Sequence, residues 1–152
     1  MGELKHFNVG NAGKNLKIFE KLAKIMKREE LSVGDWVRWT VYNKTYDICI
    51  SQITDILVRG VHDGVEYGMK ITQLSPIPIT AEILEKNGLC VVEEDADFSE
   101  YELFGSDFFS LFHTKGTLRY RLETPQASVV CWNVHQLQHA LRLAKVDKEI
   151  EL

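Results

Sequence analysis

Apolar residues recur at helical spacing in KNLKIFEKLAKIMKREE, where Leu16, Phe19, Leu22, Ala23 and Met26 are separated by Lys14, Lys17, Lys21, Lys24 and Lys27. A stripe returning every three to four residues predicts a helix, here over about 15–29, behind a leader broken by Gly10, Asn11 and Gly13. The period then changes to two. In DWVRWTVY, Trp36, Arg38, Thr40 and Tyr42 alternate with Val37, Trp39 and Val41, as in a half-buried strand. Asn43-Lys44 predicts a turn, and TYDICISQITDILV a second strand whose parity shifts between Ile50 and Ile53, as a bulge or bend does. His62-Asp63-Gly64 is the strongest turn signal, because Asp-Gly suits a tight hairpin with positive φ. EYGMKITQL is the returning strand.

Ser75-Pro76-Ile77-Pro78-Ile79 lacks two ladder donors and reads as a connector or edge. Thr80 caps a short helix carrying Ile83 and Leu84 and ending at Gly88. LCVVEE (89–94), TLRYRLE (117–123) and SVVCWNV (128–134) read as strands, with a turn at Lys115-Gly116. A final helix spans about 134–145 with Leu137, Ala140, Leu141 and Ala144 inward, before a polar tail, DKEIEL. Between these lies EEDADFSEYELFGSDFFSLF (93–112), with seven acids, no basic residue and six aromatic rings. It is an insertion docked on the sheet, an exposed arm that binds a partner, or a mimic of nucleic acid.

Length and charge refine this picture. The chain has 152 residues, enough for one compact domain or two very small ones. It contains no run of about 18 apolar residues, and its first residues lack the apolar core of a secretory signal. Cys49, Cys90 and Cys131 are scattered and odd in number, which fits a reducing cytoplasm rather than a disulfide framework. The net charge of −4 conceals an asymmetry: residues 1–28 hold seven Lys or Arg against two acids, and the remainder is acidic. A basic arm on an acidic body suits contact with nucleic acid, with an acidic partner or with its own body.

Most catalytic patterns fail on their residues. HQLQH sets His135 and His139 four apart on one helix face, a zinc-hydrolase spacing, but Gln136 stands where the general-base glutamate is needed. Cys131 and His135 form a nucleophile–base pair only if the thiol leaves its apolar strand setting. There is no nucleophile elbow, phosphate-binding loop or dinucleotide fingerprint. The acidic Asp95-Ala96-Asp97 run lacks the glycine of a calcium loop, with Glu100 in its place. No cofactor, metal or catalytic residue is therefore assigned. Aromatic and cationic groups on a curved sheet stack bases and hold phosphates. The candidates for binding an anionic ligand are Arg38, Trp39, Tyr42, Arg119 and Arg121.

VGDWV (33–37), SPIPITAEILEKNGL (75–89) and VHQLQHALRL (134–143) together resemble small phage and prophage accessory proteins of the Bacteroidetes. These carry a Pro-Ile-Pro-Leu-Thr-like connector and a Val-His-Gln-Leu-Gln-like C-terminal helix. The basic helix and the segment 93–112 are not part of that pattern. The resemblance implies a phage-encoded protein acting in a bacterial cytoplasm, and it supplies no activity.

The resulting expectation is an α+β fold: a small, strongly bent antiparallel sheet or barrel with N-terminal and C-terminal helices. Residues 1–30 form the leader and basic helix, and residues 31–152 a single domain with the acidic-aromatic insertion. The expected function is non-enzymatic binding, sequestering a nucleotide signal of antiphage immunity. The alternatives are an adaptor that binds a host protein or nucleic acid through the basic helix or acidic arm, and a metal-dependent hydrolase acting through His135 and His139. No membrane contact is expected, and a homodimer is left open.

Overall fold

The computed structural model describes residues 26–103 and 109–152. The expected helix over 15–29 lies mostly outside them; Arg28–Glu30, at its end, form a single 3-10 turn. The first sheet contains β1 (Trp36–Val41), β2 (Lys44–Ile53), β3 (Val58–His62), β4 (Val65–Met69) and β5 (Leu74–Ser75), in the order β4-β3-β2-β1-β5. A 3-10 turn, Ile71–Gln73, lets β5 come back beside β1. The register of β2 against β3 slips between Ile50 and Gln52, where the hydrophobic parity changes. Asp63 and Gly64 both have positive φ in the β3–β4 hairpin, as the sequence predicts. The β1–β2 turn is at Tyr42-Asn43, one residue earlier than expected, also with positive φ at both positions.

The expectation of one small sheet or barrel needs correction. A second antiparallel sheet follows, made of β6 (Leu89–Glu94), β7 (Phe98–Leu103), β8 (Ser110–Thr114), β9 (Tyr120–Glu123) and β10 (Ser128–Cys131), in the order β10-β9-β8-β7-β6. Neither sheet closes on itself, and the mixed α+β character is carried mainly by strands. The physical cause is the connector. Pro76 and Pro78 cannot donate to a ladder, so the strand path stops there. Pro78 makes one isolated bridge to Asn133, and the Val134 N–H donates to the Ile77 carbonyl at 2.8 Å. Helix α1 (Ala81–Lys86) begins at Thr80, whose hydroxyl accepts the Ile83 N–H at 3.2 Å. Helix α2 (Val134–Leu143) matches the expected C-terminal helix.

The segment 93–112 is not an appendage to this sheet. It supplies the end of β6, all of β7 and the start of β8, with residues 104–108 outside the described part. Its period of two was hidden by its acids: Ser99 and Tyr101 are buried while Phe98 is exposed.

Each sheet has its own core. Val37, Ile48, Ile50, Val58, Met69 and Leu74 fill the first. The second gathers Leu84, Leu89, Leu111, Leu122, Leu137 and Leu141 from the second sheet and both helices. Trp36 belongs to β1 yet packs on the second core. The tail expected to be polar is docked there too, with Ile150 only 2% exposed and its carbonyl accepting the Trp36 indole N–H at 2.9 Å. Asn87 anchors Glu151 from both sides, donating to its carbonyl and accepting its N–H at 2.8 Å each.

Candidate functional site

The five residues expected to bind an anion do not share one site. Arg38, Trp39 and Tyr42 belong to the first sheet and its turn, Arg119 and Arg121 to the second. Arg38 and Trp39 are neighbours on a strand and so point to opposite faces. Arg38 Nε lies 3.3 Å from Asp47 Oδ1 on β2, so its charge is partly answered. Trp39 turns inward, with the rings of Tyr46 and Tyr67 at 5.6 and 5.4 Å and its indole N–H 3.4 Å from Gln73 Oε1. Tyr42 stands in the hairpin turn, 93% exposed. Arg119 precedes β9 and makes no ion pair among the described residues. Arg121 lies over the Phe112 ring, 5.2 Å from its centroid, with Nε 2.6 Å from Glu123 Oε1 in a contact too bent for a hydrogen bond.

What surrounds Arg121 is acidic. Strand pairing places Glu93, Glu100, Phe112, Arg121 and Val130 in one row across β6 to β10. A groove of about 260 Å³ opens over this row, lined by Glu93, Glu94, Asp95, Phe98, Glu100, Phe112 and Arg121. It is smaller than the cavities that enclose drug-sized ligands, about 300–1,000 Å³, and is scaled to one side chain or small ion. Like charges directly opposite in a ladder are unfavourable, and Glu93 faces Glu100 with no ion pair to either among the described residues. Desolvation, then the charges of Glu102 and Glu93, push the Glu100 carboxyl above its ordinary range. Asp95 is the reverse case. Its Oδ1 accepts the N–H groups of Asp97 (2.7 Å) and Phe98 (2.8 Å), which hold it below the usual range and shape the β6–β7 turn. Lys115 neutralises one carboxylate, Glu94, at 2.7 Å.

The two histidines of α2 have separate fates. His139 Nε2 lies 2.9 and 2.7 Å from the oxygens of Asp35, a fully buried carboxylate. A carboxylate only accepts, so Nε2 carries the proton. Asp35 also accepts the Ser32 N–H at 2.8 Å and faces Arg142 Nη1 at 3.3 Å. His135 is buried, 3% exposed, and its Nδ1 has no hydrogen-bond partner among the described residues. Among the described residues no group of three or more His, Cys, Asp or Glu is arranged to hold a metal. The Cys131 thiol is pushed up to about 12 by burial, so it is protonated at neutral pH and a poor nucleophile.

The sequence reading missed Asp35 and the Glu93–Glu100 pair. Asp35 had one legible sign, an acid immediately ahead of an apolar strand. The pair had none, because its members are seven residues apart and meet only through the register. Among the described residues no helix is long and apolar enough to cross a membrane. In comparisons with known proteins, no family model, no curated protein and no solved structure matches the chain.

Proposed function

We propose that this chain is a non-enzymatic binding protein that receives a cationic group on the acidic-aromatic face of its second sheet. One observation carries the reading: Glu93 and Glu100 face each other across the ladder, without an ion pair among the described residues, in a groove also lined by Phe98 and Phe112. A guanidinium or ammonium between the two carboxylates relieves their repulsion, and aromatic faces attract it further. The protonated Cys131 thiol and the engagement of His139 by Asp35 favour binding over catalysis. The resemblance to phage accessory proteins supplies no activity and suggests only where a partner would be met, in an infected bacterium.

Sequestration of a nucleotide remains a second reading, resting on Arg119, which has no ion pair among the described residues, and on Arg121 two residues along. The groove beside Arg121 carries four carboxylates, of which Lys115 neutralises only Glu94, and the other three repel a phosphate. A single titration separates the two. Spermidine, arginine amide and a panel of mono- and cyclic nucleotides are added to the protein and to Glu93→Gln/Glu100→Gln. The cations are expected to bind, with affinity falling at least tenfold in the double variant and falling with salt. Nucleotide binding lost in Arg119→Ala/Arg121→Ala, with no cation binding, would replace this reading by the second.

A further inference from the structure

Resting on the proposed cation site, we infer that its occupant is an extended basic segment of a partner protein, added as a sixth strand along β6. β6 is the outer strand of the second sheet, and among the described residues it pairs only with β7. Its five residues Cys90–Glu94 are all exposed. A bulge between Val91 and Glu93 interrupts the alternation of side chains, and residues on both sides of it are exposed. Val91 and Val92 are 41% and 50% exposed. An unpaired edge is a template for another strand unless charge, proline, a bulge or a covering element blunts it. β6 contains neither lysine nor proline; it carries the bulge between Val91 and Glu93 and the acids Glu93 and Glu94, so a like-charged strand is repelled there and a strand of opposite charge is not.

Charge selects the partner. The edge runs into Glu93 and Glu94, then Asp95, and the groove beside it adds Glu100. A second copy of β6, LCVVEE, brings no cation to these carboxylates. An acidic or neutral strand likewise leaves the Glu93–Glu100 pair unrelieved. In a basic strand every second side chain falls on the groove's face, and the one beside Glu93 continues the row Glu93, Glu100, Phe112. Main-chain bonds then supply affinity and the groove supplies selection, as in other cases of strand addition. The other outer strand, β10, ends in buried Cys131 and carries no acid.

The test uses the full chain and three probes: the acetylated, amidated peptide Lys-Thr-Lys-Val-Arg-Thr-Lys-Val, the same peptide methylated at every interior amide nitrogen, and spermidine. The peptide is expected to bind and to slow hydrogen exchange at the amides of 89–94. Methylation, which keeps the charges and removes the ladder donors, is expected to weaken binding at least tenfold. Glu93→Gln/Glu100→Gln is expected to weaken the peptide comparably while leaving the fold intact. Equal binding of the methylated peptide, or no protection at 89–94, overturns strand addition. If the double variant still loses spermidine or peptide in that case, the cation site itself stands. Failure of all three probes to bind overturns both.

Discussion

Asp35 is a charge removed completely from water, and its surroundings show how such a charge is tolerated. The Ser32 N–H, the His139 imidazole and the Arg142 guanidinium all converge on it. Burying a carboxylate is costly unless it is paired and hydrogen-bonded, and here both conditions are met. His135, one turn earlier on α2, is buried with its Nδ1 unpartnered among the described residues. Burial lowers its pKa, with the charge of His139 acting the same way and those of Asp35 and Glu30 opposing. The sign of the consequence follows from linkage. The unfolded chain binds a proton at His135 near pH 6.5, whereas the folded chain binds it only at lower pH. Stability contributed by the neutral ring is therefore full above about pH 6.5 and is lost as pH falls towards the folded pKa. We expect the urea midpoint of the protein to fall between pH 7 and 5 more steeply than that of His135→Phe. Parallel pH profiles for the two proteins would show that His135 does not set this slope.

At the scale of elements, the two hairpins of the first sheet use the same backbone solution with different residues. Both two-residue turns need positive φ, and Asp63-Gly64 supplies it at little cost. Tyr42-Asn43 supplies it with a tyrosine, a side chain that rarely adopts this conformation. Tyr42 makes no ring contact among the described residues and is almost wholly in solvent. Replacing the pair by Asn-Gly is expected to stabilise the protein by about 0.5–1 kcal/mol, read as a higher denaturation midpoint. Loss of stability instead would mean that the Tyr42 ring contributes more than its turn costs. Gly60 in β3 has a different reason to be glycine. A Cβ there would lie 2.9 Å from Ile48 Cδ1 and 3.2 Å from the Cys49 carbonyl, so the Ile48 side chain would have to shift and the β2 backbone give by a few tenths of an ångström.

At the scale of the molecule, the described residues form two sheets joined by specific contacts. Gln138 of α2 accepts the Trp36 N–H and donates to the Gly34 carbonyl, each at 2.9 Å, and so joins the second core to the entry of β1. The Trp36 indole reaches the docked tail, and Asp35 holds α2 through His139 and Arg142. Gln138→Ala leaves the Trp36 N–H without this partner and the Gly34 carbonyl with only the Cys49 thiol, 3.5 Å away, and is expected to cost about 1–3 kcal/mol. If the joint couples the cores, amide exchange in the first sheet will quicken along with that in α2. Faster exchange confined to α2 would show that the first sheet is stable without this contact.

Local chemistry made much of this legible in the sequence. The period of two in β1, the parity shift in β2, Asp63-Gly64, the Thr80 cap and the apolar stripe of α2 all depend on near neighbours, and each is found where its residues predict it. Proline at 76 and 78 also dictated a break, because the missing N–H is a property of the residue itself. The sequence could not say that the break divides two sheets, since strand partners are chosen by packing across long separations. For the same reason the acids and rings of 93–112 looked like an appendage until pairing put their alternate residues on two faces of β7 and β8. The anion-binding set was assembled from residue types alone, and folding separated its members onto two sheets. The opposed carboxylates of Glu93 and Glu100, and the burial of Asp35 against His139, were decided only by tertiary structure. Coulombic and desolvation energies depend on distance in space, which the order of residues along the chain does not fix.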